Sequence, residues 1–177
     1  MKKLFTILLM LCGICGSAQN DEDESRGYTV KVGQTAPDFT ITYLDGKTAK
    51  LSDLKGKVVM IQFTASWCGV CRKEMPLIES DIRLKHKNNP EFVLIGIDYK
   101  EPKEKVAEFA RQIKITYPLT LDESGEIFHK FAAKDAGVTR NVVIDRDGKI
   151  IFLTRLYDPK EFKKMKSVIE TELKKKK

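Results

Sequence analysis

Val58-Val59-Met60-Ile61-Gln62-Phe63 is a nearly continuous apolar run, and Thr64-Ala65-Ser66-Trp67-Cys68-Gly69-Val70-Cys71 follows it directly. The run reads as a strand buried on both faces. From residue 69 to 87 the apolar positions take helical spacing, with Met75, Ile78, Ile82 and Leu84 set among charges. Two cysteines therefore stand where a buried strand gives way to a helix. Phe92 to Ile97 repeats the strand signal. Val106, Phe109, Ala110 and Ile113 repeat the helical one, with Pro102 where a first-turn proline belongs.

Upstream, Phe39 to Tyr43 alternates apolar and polar residues, Asp45-Gly46 is a turn pair, and Thr48 to Leu51 returns as the second arm of a hairpin. Downstream come a short strand near Leu119, a helix around 125–132, and strands at 141–145 and 149–154 joined by Asp147-Gly148. A last helix from about 159 carries Phe162, Met165, Val168, Ile169 and Leu173. Strand-helix-strand first, then a hairpin and a final helix, predicts an α/β fold with a mixed central sheet flanked by helices.

The chain has 177 residues, 32 Lys+Arg against 25 Asp+Glu, 42% hydrophobic content and four cysteines. This composition excludes a wholly disordered chain, a collagen-like polymer and a polytopic membrane protein. It suits one domain with tails, predicted over 28–173. Residues 19–27, with Asp21-Glu22-Asp23-Glu24, read as an acidic flexible leader, and 174–177 as a lysine tail that frays.

Residues 1–18 read as a secretory signal peptide. Lys2 and Lys3 precede the apolar run Leu4 to Ile14, and Gly16-Ser17-Ala18 supplies small residues for cleavage before Gln19. A transmembrane anchor needs ~20 apolar residues and this run is shorter. A lipid anchor on Cys12 or Cys15 is disfavoured, since Leu11 and Ile14 stand where a lipoprotein signal wants something small. The expected product is an exported, periplasmic protein with no stable membrane span. Without Lys2 and Lys3 its formal charge falls from +7 to +5. No basic stripe interleaves with aromatics, so nucleic acid is not an expected partner. Cys12-Gly13-Ile14-Cys15 is discarded with the signal, which leaves Cys68 and Cys71 in an oxidising compartment.

Cysteines three apart at a helix start can bridge within one turn. The first meets unpaired backbone N–H groups and the positive end of the helix dipole, which favour thiolate over thiol and make Cys68 the nucleophile. Cys71, one turn deeper, is placed to attack the mixed disulfide and release the reduced partner. Two blander readings compete. A C-x-x-C pair is half a zinc site, but a structural site needs a second ligand pair. The only histidines, His86 and His129, are not spaced as one and are expected to face solvent. A purely structural disulfide closing so small a loop contributes little from chain entropy. No metal or cofactor is expected.

The stretch from Ala36-Pro37-Asp38-Phe39 through WCGVC to Arg72-Lys73-Glu74-Met75-Pro76, with Val143 to Lys149, resembles exported thioredoxin-like proteins of the TlpA type. These are thiol–disulfide oxidoreductases, some of which serve cytochrome maturation. The resemblance runs from about residue 34 to the end. It implies a thioredoxin fold with an extra N-terminal β-hairpin, Cys68 as attacking thiol and Cys71 as resolving thiol. Glu74 matches an active-site glutamate of related exported oxidoreductases. Three residues beyond Cys71, a partly buried carboxylate there can exchange a proton with it; the alternative is an exposed early-helix acid that complements the dipole. Gln62 sits where thioredoxin carries a buried aspartate, and an amide cannot act as a base. Pro76 is the kinking proline of the family's helix. Trp67 is expected to shield the sulfurs and offer partners a flat apolar contact, or else to be a core aromatic.

The family normally presents a cis-proline beside the cysteines. Counting back from Asp145 puts that position on Thr139, or on Arg140 after a one-residue shift. A non-proline cis bond costs ~2.5–4 kcal/mol, so either Thr139 is strained or the loop runs differently. Both residues are expected to line the site from a loop and contact substrate. The departure bears on substrate docking, redox potential and protection of the disulfide from metals.

The expected function is exchange of disulfides with the cysteines of exported proteins, as a reductase served by an upstream thiol donor or acceptor. A peroxiredoxin-type peroxidase shares the Ala-Pro-Asp-Phe opening, but Ala65 stands where its pattern wants Thr, three before the reactive cysteine. A non-catalytic thioredoxin-like interaction module is the third reading, supported by the missing proline.

Overall fold

The computed structural model describes residues 26–175; the predicted signal peptide, most of the leader and the last two lysines lie outside them. The architecture is a thioredoxin fold. Strands β3 (Val58–Thr64), β4 (Phe92–Tyr99), β5 (Leu119–Asp122), β6 (Arg140–Ile144) and β7 (Ile150–Arg155) form one sheet in the order β5-β4-β3-β6-β7. The pairs β3/β4 and β4/β5 are parallel, while β3/β6 and β6/β7 are antiparallel. A separate hairpin, β1 (Thr40–Thr42) with β2 (Thr48–Lys50), precedes the sheet.

The sheet's centre is β3, buried along its whole length, as its unbroken apolar run requires. Period-two alternation divides its side chains between two layers. Gln62 and Thr64 point to α1 (Gly69–Ile78), where they meet Glu74 and Met75. Phe63 points the other way, its ring 5.4 Å from Phe128 and 5.5 Å from Phe131 of α3 (Glu126–Phe131). Right-handed crossovers stepping the same way across the sheet put α1 and α2 (Lys103–Ile113) on one face. There the Arg72 guanidinium lies 4.8 Å from the Phe109 ring centre. Helix α4 (Pro159–Lys174) joins them, with Lys166 pairing with Asp81 at 2.5 Å. Phe39, against Phe131, brings the hairpin segment over the opposite face.

Helix α1 does not run straight to residue 87. A π turn at Glu79–Arg83 follows Pro76, and a last α-helical turn covers Leu84–His86. The missing N–H of Pro76 leaves a gap in the ladder, and such gaps are where helices change their winding. Pro102 is the N-cap of α2 rather than part of its first turn. Neither histidine faces solvent freely. His86 is half-buried against Phe92, with burial lowering its pKa, and His129 is half-buried against Tyr99 and Phe128. Arg26 and Gly27 are held on the domain: Arg26 pairs with Glu161 at 2.8 Å, and the Gly27 carbonyl accepts from the Ala133 N–H.

Candidate active site

Cys68 is the N-cap of α1, in extended conformation at φ −81° and ψ 102°, and its sulfur accepts the backbone N–H of Cys71 at 3.2 Å. That N–H is one of the donors a helix start leaves unpaired. The sulfurs of Cys68 and Cys71 are joined as a disulfide. Cys68 keeps 6% of its surface exposed and Cys71 none. The first cysteine therefore keeps surface open to solvent and the second does not. Trp67, 62% exposed and next to Cys68 in the chain, is an open apolar face rather than a core aromatic.

Three polar atoms of Ser66 fasten the loop that carries Trp67 and Cys68. Its N–H and hydroxyl donate to the Glu101 carboxylate at 2.5 and 2.7 Å, and its carbonyl accepts from Arg72 Nε at 2.6 Å. Glu101 also pairs with Lys105 at 2.6 Å. Burial pushes the Glu101 pKa up, but Lys105 and the two Ser66 donors outweigh it and hold the carboxyl below its ordinary value. Beside it Asp98, at the end of β4, is fully buried, and neither of its oxygens meets an N–H or hydroxyl donor. Burial, then the Glu101 charge, pushes the Asp98 pKa up to about 8, so at neutral pH it keeps its proton and donates to Glu101. A folded-state pKa above the unfolded value near 3.9 gives stability that is complete below about pH 4 and lost as pH rises toward 8. Asp98→Asn keeps a donor to Glu101 and removes the titration. Thermal unfolding between pH 5 and 9 should show the wild type losing on the order of 2 kcal/mol more than the variant. Parallel pH dependences for the two proteins would rule out a protonated Asp98.

Behind Cys71, Glu74 is buried on the same helix, not exposed at its edge. Asn141 Nδ2 donates to one of its oxygens at 2.8 Å, and Gln62 Nε2 approaches the other at 3.4 Å. Tyr117 in turn donates its hydroxyl to Gln62 Oε1 at 2.6 Å. Antiparallel register sets Asn141 directly opposite Gln62, which is why both amides face Glu74. Burial raises the Glu74 pKa to about 7, against the pull of the Asn141 and Gln62 hydrogen bonds. Gln62 orients Glu74 and carries no charge of its own.

Thr139 faces the disulfide. Its Oγ1 lies 3.1 Å from Cys68 Sγ and 3.3 Å from Cys71 Sγ. The described residues contain no cis peptide bond, so the loop runs differently from the proline-bearing one: without a ring on nitrogen, the trans form wins by a few kcal/mol. Arg140 does not line the site from a loop. It opens β6, is fully buried, lies 4.4 Å over the Tyr28 ring, and donates to the carbonyls of Gly137 and Arg26 at 3.0 and 2.7 Å. Side chains alternate across a strand, so the residue after Thr139 points away from the sulfurs. The Thr64 hydroxyl is spent on Met75 Sδ at 3.4 Å and Ala65 has none, so the peroxidase pattern lacks its threonine.

Asn141, Asp98, Glu101 and Ser66 were not singled out from the sequence. Asp98 left a trace, an acid closing an apolar strand run. Asn141 left none, because its importance comes from pairing with Gln62.

Residues 31–172 match the redoxin family. Among curated proteins, the chain is 33% identical over 145 residues to the thiol-disulfide oxidoreductase ResA of Bacillus thuringiensis subsp. konkukian, covering 82% of each protein. The solution structure of a candidate protein disulfide isomerase from Bacteroides thetaiotaomicron is 62% identical, with a TM-score of 0.81 over 84% of this chain and 94% of that one. The crystal structure of a candidate thiol:disulfide interchange protein DsbE from Chlorobium tepidum is 26% identical, with a TM-score of 0.70 over 82% and 99% of the two proteins.

Proposed function

This chain belongs to the redoxin family and is a thiol–disulfide oxidoreductase of the thioredoxin-like, TlpA type, and we propose that it works outside the cytoplasm, reducing disulfides of other exported proteins through Cys68 and Cys71. The observation that carries the reading is the asymmetry of the pair: one sulfur at a helix start with a backbone donor on it and the exposed Trp67 preceding it, the other on a buried cysteine three residues before a buried carboxyl of pKa about 7 on the same helix. In the reduced state, the Cys68 thiolate attacks a substrate disulfide, forming a mixed disulfide and expelling one substrate thiolate. Cys71 gives its proton to Glu74 and attacks Cys68 Sγ, which releases the second substrate thiolate and closes the Cys68–Cys71 bond. Two electrons pass to the substrate, and its two thiolates take up two protons. An upstream dithiol restores the reduced form. Trp67 gives the substrate an apolar surface beside the reacting sulfur.

Export is supported by the three-part pattern of residues 1–18 and by the resemblance to exported proteins. No described helix is long and apolar enough to cross a membrane. The reductase direction rests on the TlpA-type resemblance. In the producing cell, the protein should be recovered from the periplasm with Gln19 as its first residue. Reduced protein beginning at Gln19 should reduce insulin disulfides and end with Cys68 and Cys71 oxidised. A cytosolic form retaining residues 1–18 would overturn export. Excess reduced protein that leaves insulin oxidised would overturn the direction.

A further inference from the structure

The hydroxyl of Thr139 lies within hydrogen-bond distance of both sulfurs. In the disulfide neither sulfur carries a hydrogen, so the hydroxyl is the donor, and no other acceptor for it is seen among the described residues. We propose that Thr139 is a catalytic residue of the exchange reaction, a single hydroxyl donor that follows the negative charge from the Cys68 sulfur to the Cys71 sulfur. This rests on Cys68 being the attacking thiolate.

Each step uses the same O–H. In the reduced protein it donates to the Cys68 thiolate together with the Cys71 N–H, so the nucleophile is held by two donors. When Cys68 Sγ bonds to the substrate sulfur it loses its charge. Cys71 then gives its proton to Glu74 and becomes the charged sulfur, and rotation about the Cβ–Oγ1 bond of Thr139 turns the same hydrogen to it. Attack of Cys71 on Cys68 breaks the bond to substrate, two electrons having passed from the dithiol to the substrate disulfide. The hydroxyl exchanges no proton and is unchanged at the end. A proline at this position has no hydroxyl to offer, so the departure from the family pattern adds a donor at the reacting atoms.

The ionisable groups on the surrounding elements include Arg72, Lys73 and Glu74 on α1, Asp98 and Tyr99 on β4, Glu101 and Lys105 beyond Ser66, Arg140 on β6 and Arg155 closing β7. Substituting Thr139 leaves all of them in place, so a change in Cys68 ionisation reads the hydroxyl alone. Thr139→Val keeps the branched shape and removes the O–H; Thr139→Ser keeps the O–H. Alkylation of the reduced protein by iodoacetamide, followed from pH 4 to 10, gives the midpoint of Cys68 ionisation. A hydrogen bond to a charged group is worth roughly one pKa unit or more. The midpoint should rise by about one unit in Thr139→Val and stay within a few tenths of wild type in Thr139→Ser. At acidic pH the valine variant should react roughly threefold slower, because tenfold less thiolate is partly offset by its higher intrinsic nucleophilicity. Thr139→Ala carries the same test without added bulk should valine not fold. Superimposable profiles for wild type and either hydroxyl-free variant would overturn the proposal. Failure of the oxidoreductase reading would show differently, as a wild type that reduces no protein disulfide whatever its alkylation midpoint.

Discussion

Replacing Cys71 with Ser should arrest the protein as a stable mixed disulfide with its substrates, whereas Cys68→Ser should trap nothing and abolish exchange. The expectation follows from reach and charge together. Cys68 is the cysteine that keeps exposed surface, and it sits at the start of α1 with the Cys71 N–H on its sulfur. There the helix dipole and the unpaired N–H favour thiolate, and thiolate is the attacking species. Cys71 has no exposed surface, so the sulfur it attacks is Cys68 Sγ once that sulfur is bonded to substrate. Without it the mixed disulfide has no internal exit, and resolution must wait for an outside thiol. Turnover of a protein disulfide should fall below measurement in both variants, yet only Cys71→Ser should show slower-migrating adducts on non-reducing gels that collapse with dithiothreitol. Adducts from Cys68→Ser, or equal alkylation of the two thiols in the wild type at neutral pH, would reverse the assignment of roles.

Glu74→Gln should slow the second half of the reaction and spare the first. Glu74 is one helical turn beyond Cys71, buried, and held by Asn141 and Gln62, so its carboxylate has a fixed place from which to take the Cys71 proton. Burial brings its pKa to about 7, near the operating pH, where a general base combines enough deprotonated form with enough basicity. In the wild type, resolution of a preformed mixed disulfide should speed up as pH rises through about 7 and Glu74 loses its proton. The glutamine variant should lose that inflection and resolve about 100-fold more slowly at pH 7. Attack by Cys68 should change by no more than a few fold, since Cys68 depends on the helix start and Thr139. Stability should move in the other direction. A carboxyl whose pKa is raised on folding stabilises the fold fully below its unfolded value near 4.3 and loses that contribution as pH rises through about 7. Above pH 7 the glutamine variant should therefore unfold at a higher temperature than wild type. An unchanged resolution rate and profile would leave Glu74 as a buried spacer.

Much of the site was legible because its parts are local. A buried run followed by helical spacing puts Cys68 at the helix start, and three residues along a helix bring Cys71 under it. The same spacing places Glu74 on the neighbouring face. Counting back from the Val-Ile-Asp hairpin found Thr139. The same counting left Arg140 as an alternative, because a one-residue ambiguity in a loop cannot say which side chain turns inward. Strand alternation settles it: Arg140 belongs to β6 and stacks on Tyr28.

From sequence alone came the order of strands and helices and the place of the dithiol at a helix start, consequences of hydrophobic period and of spacing within one turn. Tertiary structure alone decided that Asn141 holds Glu74 from 67 residues away, that Glu101 grips Ser66 across 35, and that one hydroxyl serves two sulfurs 71 and 68 residues distant. Apolar periodicity says which face of an element is buried. Which polar atoms then meet depends on sheet register and on how helices seat against it, and those are set by packing of the whole core.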